Sequence, residues 1–148
     1  MDGTIRFATM LDLSKLAVIN SFGTEEGRHL AEEELPRFIE AHAVVVYEVN
    51  EDMKALLYFE RKFFGEGQWL LTQITVNENS RRQGIGEFLW KWFLDYAHKN
   101  RVARVFADIR ESNVPSTLLA RKLGGIDAGF IDLNDGDVRR FFRFDLQN

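Results

Sequence analysis

Between two strongly patterned segments the chain reads Val76-Asn77-Glu78-Asn79-Ser80-Arg81-Arg82-Gln83-Gly84-Ile85-Gly86-Glu87. Residues 69–76 are rich in β-branched and aromatic types, and apolar residues after Gly86 recur every three or four positions, as in an amphipathic helix. The stretch is therefore predicted to lead from a strand, through a loop, into a helix. Because the first N–H groups of a helix have no internal partners and lie at the positive end of its dipole, an anion site is predicted here.

The loop contains the residue types that a diphosphate site needs. Gly84 and Gly86 let the backbone approach a ligand closely, and Arg81 and Arg82 can pair with phosphate oxygens. The alternative is that these residues form only a solvated turn before a core helix. A Walker loop is excluded because Glu87 follows the last glycine, and a dinucleotide-binding fingerprint is excluded because position 89 is neither glycine nor alanine.

The rest of the sequence predicts alternating strands and helices around this stretch. Strands are predicted at residues 4–8, 43–49, 54–63, 69–76 and 102–109. Helices are predicted after Asp12 or Ser14, over residues 25–41 as one or two segments with Pro36 at a start or a break, from Gly86 to near Asn100, and over residues 113–123. Residues 130–133 and 138–144 are predicted to form a C-terminal β-hairpin around residues 134–137. A strand, a helix and a strand in succession form a crossover unit. The strands at 69–76 and 102–109 are therefore expected to pair in parallel.

Composition limits the kinds of protein that this chain can be. With 148 residues, 45% hydrophobic and 28% charged, it is predicted to fold as one globular domain, residues 1–148. The net charge of -4 offers no positive field to a nucleic acid, and residues 43–47 form an apolar run too short for a bilayer, so we expect a soluble, cytoplasmic protein without nucleic-acid or membrane partners. The lack of cysteine excludes disulfides and a cysteine nucleophile, and the spacing of His29, His42 and His98 predicts no metal site.

Two segments resemble motifs of the GNAT superfamily of acetyl-CoA-dependent N-acetyltransferases. The pyrophosphate loop of that family reads Arg/Gln-x-x-Gly-x-Gly/Ala after a strand that ends in valine, and Arg81, Gly84 and Gly86 match it. Residues 108–113, with the later positions Ser116, Leu119, Leu123 and Gly124, are similar to a second family motif, Asn-x-x-Ala/Ser through Leu-Gly-Phe. The order of the predicted elements resembles the family over nearly the whole chain.

The resemblance implies an α/β (α+β) fold with a mixed central sheet of about six or seven strands, splayed parallel central strands and flanking helices. It also implies transfer of an acetyl group from acetyl-CoA to a primary amine, of a small molecule or a protein, by direct attack in a ternary complex. The protein would be a monomer or a homodimer.

The same resemblance assigns residues to the cofactor. The backbone of Ile74, Thr75 and Val76 would bind the pantetheine arm, and Asn113 and Ser116 would lie near the pantetheine or the adenylate. The pyrophosphate would lie in the loop and the first helical turn, at Arg81, Arg82, Gln83, Gly84, Ile85, Gly86 and Glu87. The alternative for Ile74 and Val76 is a place in the core, and for Asn113 it is a helix N-cap.

An amine acceptor also requires a base, because a lysine-type amine with a pKa of about 10.4 is protonated at neutral pH. The resemblance assigns this role to Asp108, whose pKa the apolar neighbours Phe106, Ala107 and Ile109 would raise by desolvation. The alternative is an ion pair with Arg104 or Arg110. Two further candidates for the base are Glu60 and Glu78.

The chain departs from the family at two positions. Ala120 stands where the family often has a tyrosine that acts as general acid, and Gly125 stands where phenylalanine follows Leu-Gly. A second hypothesis is therefore a catalytically weak acyl-CoA-binding regulatory module. A third is a structural or partner-binding domain that uses the aromatic tail at residues 141–144. The acidic residues between 25 and 40 suit a cationic acceptor or form a solvated helix face.

Overall fold

The computed structural model describes residues 2–21, 23–134 and 136–146, which form seven strands and four α-helices. The strands are β1 (Thr4–Phe7), β2 (Val44–Val49), β3 (Asp52–Glu60), β4 (Gln68–Val76), β5 (Arg104–Arg110), β6 (Ile126–Asp132) and β7 (Val138–Asp145). The helices are α1 (Leu13–Ile19), α2 (Glu25–Glu40), α3 (Ile85–Lys99) and α4 (Val114–Lys122), with 3-10 turns at Met10–Asp12 and Glu78–Ser80.

The strands form one mixed sheet in the order β1-β2-β3-β4-β5-β7-β6. The pairs β1–β2, β2–β3, β5–β7 and β6–β7 are antiparallel, whereas β4–β5 is parallel. The predicted mixed sheet with helices, a parallel pair around α3 and a C-terminal hairpin is confirmed. Of the residues predicted to turn that hairpin, Asp135 lies outside the described residues.

By its internal contacts the chain divides into two compact units. The first comprises Met1–Phe59 and Gln73–Trp90, and the second comprises Glu60–Thr72 and Lys91–Asn148. In the first unit, β2 and β3 provide a run of fully buried residues that includes Val45, Val46, Leu56 and Leu57. A strand whose residues are buried on both faces is nearly continuously apolar, which is why the sequence predicts strands in these two runs.

The second unit builds its sheet from the first part of β4 with β5, β7 and β6. Along β5 the residues Val105, Ala107 and Ile109 are buried, while Phe106 and Asp108 between them are half-buried. Successive residues of a strand point to opposite faces of the sheet, so Phe106 and Asp108 share one face. The register with β7 puts Asp108 opposite Phe141.

The prediction that Pro36 starts or breaks a helix is wrong, because α2 runs without interruption from Glu25 to Glu40. Proline removes one backbone hydrogen bond and disfavours a helix interior. Here the residues around it, Leu35, Phe38 and Ile39, are all buried. Burial of this apolar face outweighs the local preference of proline. No helix within the described ranges is long and apolar enough to cross a membrane.

Candidate functional site

The predicted anion site lies in the first unit, between the end of β4 at Val76 and the start of α3 at Ile85. Two residues of this connection have left-handed backbone, Arg82 with a φ of 64° and Gly84 with a φ of 80°. The Gly84 carbonyl accepts a hydrogen bond from the Phe88 N–H at 3.0 Å and so stands at the helix start. The predicted strand, loop and helix N-terminus are confirmed, and the N–H groups of the first turn face the loop.

The side chains of the loop are open to solvent. Arg81, Arg82, Gln83 and Gly84 are all exposed. The Arg81 Nε donates a hydrogen bond to the Val76 carbonyl at 3.2 Å, which ties the loop to the end of β4. Two guanidinium groups thus lie close in sequence to the positive end of the α3 dipole, where they add to its attraction for an anion.

Three residues of the predicted site belong to the first turn of α3. Ile85 is only 3% exposed, so its side chain packs in the core and only its backbone is available to a ligand. Glu87 is half-buried. A Cβ added to Gly86 would meet only Val76 Cγ2, at 3.9 Å, which is an ordinary contact distance. Packing inside the chain therefore does not require glycine at this position, and the free space suits the approach of a ligand to the backbone.

The end of β4 is held by a buried polar network. Thr75 is 6% exposed and its hydroxyl donates a hydrogen bond to Asn20 Oδ1 at 2.9 Å. Asn20, which follows α1 and is 7% exposed, donates from Nδ2 to the Tyr58 hydroxyl at 3.4 Å. Because the Thr75 side chain is engaged in this way, only its backbone is available to a cofactor. Its neighbours Ile74 and Val76 are half-buried.

In the second unit, Asp108 forms an ion pair across two strands. Its Oδ2 lies 3.6 Å from Arg139 Nη1, and the side chains of Asp108 and Arg139 are 24% and 27% exposed. The pair is diagonal, because Arg139 stands two residues from Phe141, the residue opposite Asp108. Burial raises the pKa of Asp108, and the charge of Arg139 opposes that rise. The expected desolvation of this carboxylate is confirmed.

The partners that the sequence suggested for Asp108 bind other carboxylates. Arg110 Nη1 lies 3.4 Å from Asp137, and Arg104 Nε lies 3.5 Å from Asp145. The alternative of an ion pair with Arg104 or Arg110 is therefore wrong. Strand register decides the partner, and the register of β5 with β7 could not be read from the sequence of either strand.

Asp108 shares its side of the second unit with an aromatic cluster. The ring centroid of Phe63 lies 5.3 Å from that of Phe106 and 6.2 Å from that of Phe141, and all three rings are half-buried. Glu60, the last residue of β3, is half-buried, whereas Glu78 is exposed and belongs to the first unit. Among the described residues, no group of three or more His, Cys, Asp or Glu side chains is placed to hold a metal ion.

The start of α4 carries the other two predicted cofactor residues. Asn113 is the N-cap of this helix, and its Oδ1 accepts a hydrogen bond from the Ser116 N–H at 3.3 Å. The capping role of Asn113 is thereby confirmed. Its side chain is nevertheless exposed and Ser116 is half-buried, so a cap and a ligand contact are compatible.

The two departures from the family motif have a packing explanation. Ala120 is wholly buried in α4. A Cβ added to Gly125 would lie 2.8 Å from the Ala120 carbonyl oxygen and 2.9 Å from Phe144 Cζ, closer than atoms in contact can be. A phenylalanine at 125 therefore does not fit, and a tyrosine at 120 would overfill the core. The hydroxyl of Ser112 donates to Asp137 at 2.9 Å, so it is already engaged.

The sequence did not point to Arg139 or Asn20. Arg139 lies in a strand where arginine and phenylalanine mix without a clear alternation, and Asn20 ends an apolar helix where a capping asparagine is common. The only available signal was a polar residue within an otherwise apolar pattern. That signal is too frequent to single out a site residue.

Comparison with known proteins agrees with this architecture. Residues 10–125 match the Acetyltransferase (GNAT) family. A GNAT-family acetyltransferase from Bacillus cereus superposes with a TM-score of 0.79 at 20% identity, covering 99% of each chain. The yncA protein of Salmonella typhimurium, solved with its cofactor acetyl-CoA, gives 0.79 at 18% identity over 100% of this chain and 96% of its own. The ribosomal-protein-alanine N-acetyltransferase of Brucella melitensis gives 0.76 at 23% identity over 97% and 99%.

No curated protein sequence matches the chain significantly. The fold is the GNAT fold. The family match covers most of the chain, and the chain belongs to the GNAT family of acetyltransferases.

Proposed function

We propose that residues 1–148 act as one N-acetyltransferase domain that transfers the acetyl group of acetyl-CoA to a primary amine. The observation that carries this proposal is the connection from β4 to α3, where exposed arginines and a left-handed Gly84 precede a helix N-terminus. Backbone N–H groups and guanidinium groups at such a place bind a diphosphate. Family membership makes acetyl-CoA the natural donor.

Each part of the cofactor has a proposed partner. The pyrophosphate lies against Arg81, Arg82, Gln83 and Gly84 and against the backbone of the first turn of α3, formed by Ile85, Gly86 and Glu87. The pantetheine arm bonds to the backbone of Ile74, Thr75 and Val76, since the Thr75 side chain is engaged with Asn20. Asn113 and Ser116 contact the cofactor from the start of α4.

Asp108 serves as the base in the proposed mechanism. Its carboxylate takes a proton from the acceptor ammonium, and the neutral amine then attacks the thioester carbonyl. A C–N bond forms, the C–S bond breaks, and its electron pair leaves on the sulfur of CoA. The proton that the nitrogen loses as it becomes an amide neutralises this thiolate, so that the products are the acetylated amine and CoA. A thiol of this kind has a pKa of about 8.5, so the thiolate leaves without a general acid, in keeping with the buried Ala120. Glu60 and Glu78 remain further candidates for the base.

A second proposal is an acyl-CoA-binding regulatory module. The observation in its favour is Ala120, which is wholly buried and lacks the phenol that often assists this reaction in the family. The similar structures do not decide the acceptor, because the Brucella protein is named for ribosomal-protein alanine and the Bacillus protein only for its family.

Two measurements on the same sample test these proposals. Calorimetry with acetyl-CoA measures binding, and release of the CoA thiol with a panel of primary amines measures transfer. The acetyltransferase proposal requires both. Binding without transfer to any amine would favour the regulatory module, and a chain that binds no acetyl-CoA would favour the structural, partner-binding hypothesis.

A further inference from the structure

Two buried side-chain atoms in the second unit lack hydrogen-bond partners within the described part of the chain. They are Thr72 Oγ1 and Arg139 Nε. Buried polar atoms are nearly always hydrogen-bonded, because an unpaired one costs about 1–3 kcal/mol in lost hydration. Two such atoms in elements that flank the same carboxylate indicate a site that is completed by another molecule.

Both residues lie on the strands that flank β5, which carries Asp108. The parallel pairing of β4 with β5 ends with Leu71 opposite Ala107, and Thr72 and Asp108 are the next residues on the two strands. Leu71 and Ala107 are buried on one face, so Thr72 and Asp108 point to the other face. Arg139 approaches Asp108 from β7, on the opposite side of β5 from β4.

Arg139 is bonded less completely than the other arginines of this face. Arg143 Nε donates to Asp145 at 3.0 Å and Arg110 Nη1 lies 3.4 Å from Asp137. The contact of Arg139 with Asp108, at 3.6 Å, is longer than a hydrogen bond. Its side chain is 27% exposed, so part of it is accessible to a ligand although the Nε atom is buried.

We propose that Thr72, Asp108 and Arg139 form the acceptor subsite, and that the acceptor is an α-amino acid with an apolar side chain. Asp108 accepts hydrogen bonds from the ammonium group, and Arg139 donates to the carboxylate. In an α-amino acid the ammonium and the carboxylate are attached to the same carbon. Two charged groups so close together suit a site in which Asp108 Oδ2 and Arg139 Nη1 are 3.6 Å apart. The Thr72 hydroxyl completes the polar contacts.

The aromatic cluster supplies the apolar part of this site. The ring of Phe63 contacts those of Phe106 and Phe141, and Phe106 and Phe141 share the face of Asp108. Each is half-buried, so each retains surface for an apolar side chain. This inference rests on the proposed acetyl transfer, but it concerns only the recognition of the acceptor.

Matched pairs of acceptors test the inference. Free phenylalanine, leucine and methionine are each compared with the amine that results from loss of the carboxylate, and kcat/KM is measured with acetyl-CoA. A charge-assisted hydrogen bond corresponds to about tenfold to a hundredfold in affinity, so at least one amino acid should exceed its amine by that factor. In Arg139→Gln this ratio should fall to near one, and Arg139→Lys should restore part of it.

Arg143→Gln is the matched control, since Arg143 lies on the same strand and face but bonds to Asp145. It should keep the preference for the amino acid. Thr72→Val removes the hydroxyl without a change in shape. It should raise Tm, because an unpaired buried group is lost, while it lowers kcat/KM for the amino acid about tenfold. A merely structural threonine would not combine these opposite effects.

The inference is overturned if no amino acid is preferred to its amine, or if Arg139→Gln and Arg143→Gln have the same ratio. Calorimetry of the same amino acids with CoA present separates this failure from failure of the proposed function. If CoA binds and no amine reacts, the proposed acetyl transfer is wrong. In that case the subsite is still supported if the parent protein binds an amino acid and Arg139→Gln binds it more weakly. Absence of amino-acid binding to the parent protein overturns it.

Discussion

At the scale of single residues, Asp108 experiences two opposing effects. Burial raises the pKa of this carboxyl, and Arg139 counteracts that rise. The charged groups on its face are Arg104 and Arg110 from β5 and Arg139, Arg143 and Asp145 from β7, while β4 contributes the uncharged Leu70 and Thr72. Since Arg104, Arg110 and Arg143 pair with other carboxylates, Arg139 is the charge that tunes Asp108.

The pH profile of transfer should report this balance. A base works only when deprotonated, so kcat/KM falls as the pH drops through the pKa of Asp108. Arg139→Gln removes the charge that lowers this pKa, and the acidic limb should move to higher pH. Asp108→Asn should reduce the rate by about two to four powers of ten and remove that limb. Arg104, at the start of β5, pairs with Asp145. Arg104→Gln is therefore the control that should leave the acidic limb in place. An unchanged limb in Arg139→Gln would assign the proton to another group, with Glu60 and Glu78 next.

The backbone at Gly84 provides a second residue-scale prediction. With a φ of 80° this position is left-handed, and a β-branched residue there costs about 1–2 kcal/mol. Gly84→Val should also weaken acetyl-CoA binding by about tenfold or more, through loss of hydrogen bonds to the diphosphate. Gly124→Val is the matched control, because Gly124 has a φ of 95° and free space around it at the end of α4. Equal loss of affinity in the two variants would show strain alone and refute the diphosphate assignment.

At the scale of elements, helix ends combine a local role with a proposed functional one. Asn113 caps α4 through the Ser116 N–H, and the same amide is exposed to solvent. Capping is a property of the helix alone, and it stabilises α4 whether or not a cofactor is present. The proposed cofactor contact therefore has to be separated from the cap by the choice of substitution.

Two variants of Asn113 make this separation. Asn113→Ala removes the cap and should lower stability by about 1 kcal/mol, whereas Asn113→Asp keeps a capping oxygen and should preserve stability. If Asn113 contacts the cofactor, both variants should bind acetyl-CoA less tightly, and the aspartate more weakly still because its charge repels the phosphates. Thermal unfolding and calorimetry measure the two effects. A normal affinity in Asn113→Asp would leave the residue as a cap only.

At the scale of the whole molecule, two long elements contribute to both compact units. β4 supplies Gln68–Thr72 to the second unit and Gln73–Val76 to the first, and α3 is divided after Trp90. A cofactor that binds only the folded chain should raise its stability.

Acetyl-CoA should raise the unfolding temperature. A ligand that binds only the folded state at 100 times its Kd adds about 2.7 kcal/mol, which corresponds to about 5–10 °C in Tm for a chain of this size. Differential scanning calorimetry across a series of acetyl-CoA concentrations measures the rise, which should follow the logarithm of concentration. Gly84→Val should require more acetyl-CoA for the same rise. A Tm independent of acetyl-CoA would contradict binding to the folded chain.

Local patterns in the sequence determined the order of the elements and the position of the loop between β4 and α3. Alternation of apolar residues, the spacing along α3 and the glycines at 84 and 86 act within a few positions, so they can be read along the chain. Pro36 shows the limit of local preference, because burial of Leu35, Phe38 and Ile39 keeps α2 continuous.

Only the tertiary structure decided which side chains meet. The partner of Asp108 is Arg139, more than thirty positions along the chain, and Thr72 lies on the neighbouring strand β4, one residue past the last pair with β5. The Thr75–Asn20 hydrogen bond likewise joins a strand to the end of a distant helix. Such contacts depend on strand register, and a shift of one residue would turn Asp108 to the opposite face. Register is set by the packing of the whole sheet, and no single segment contains that information.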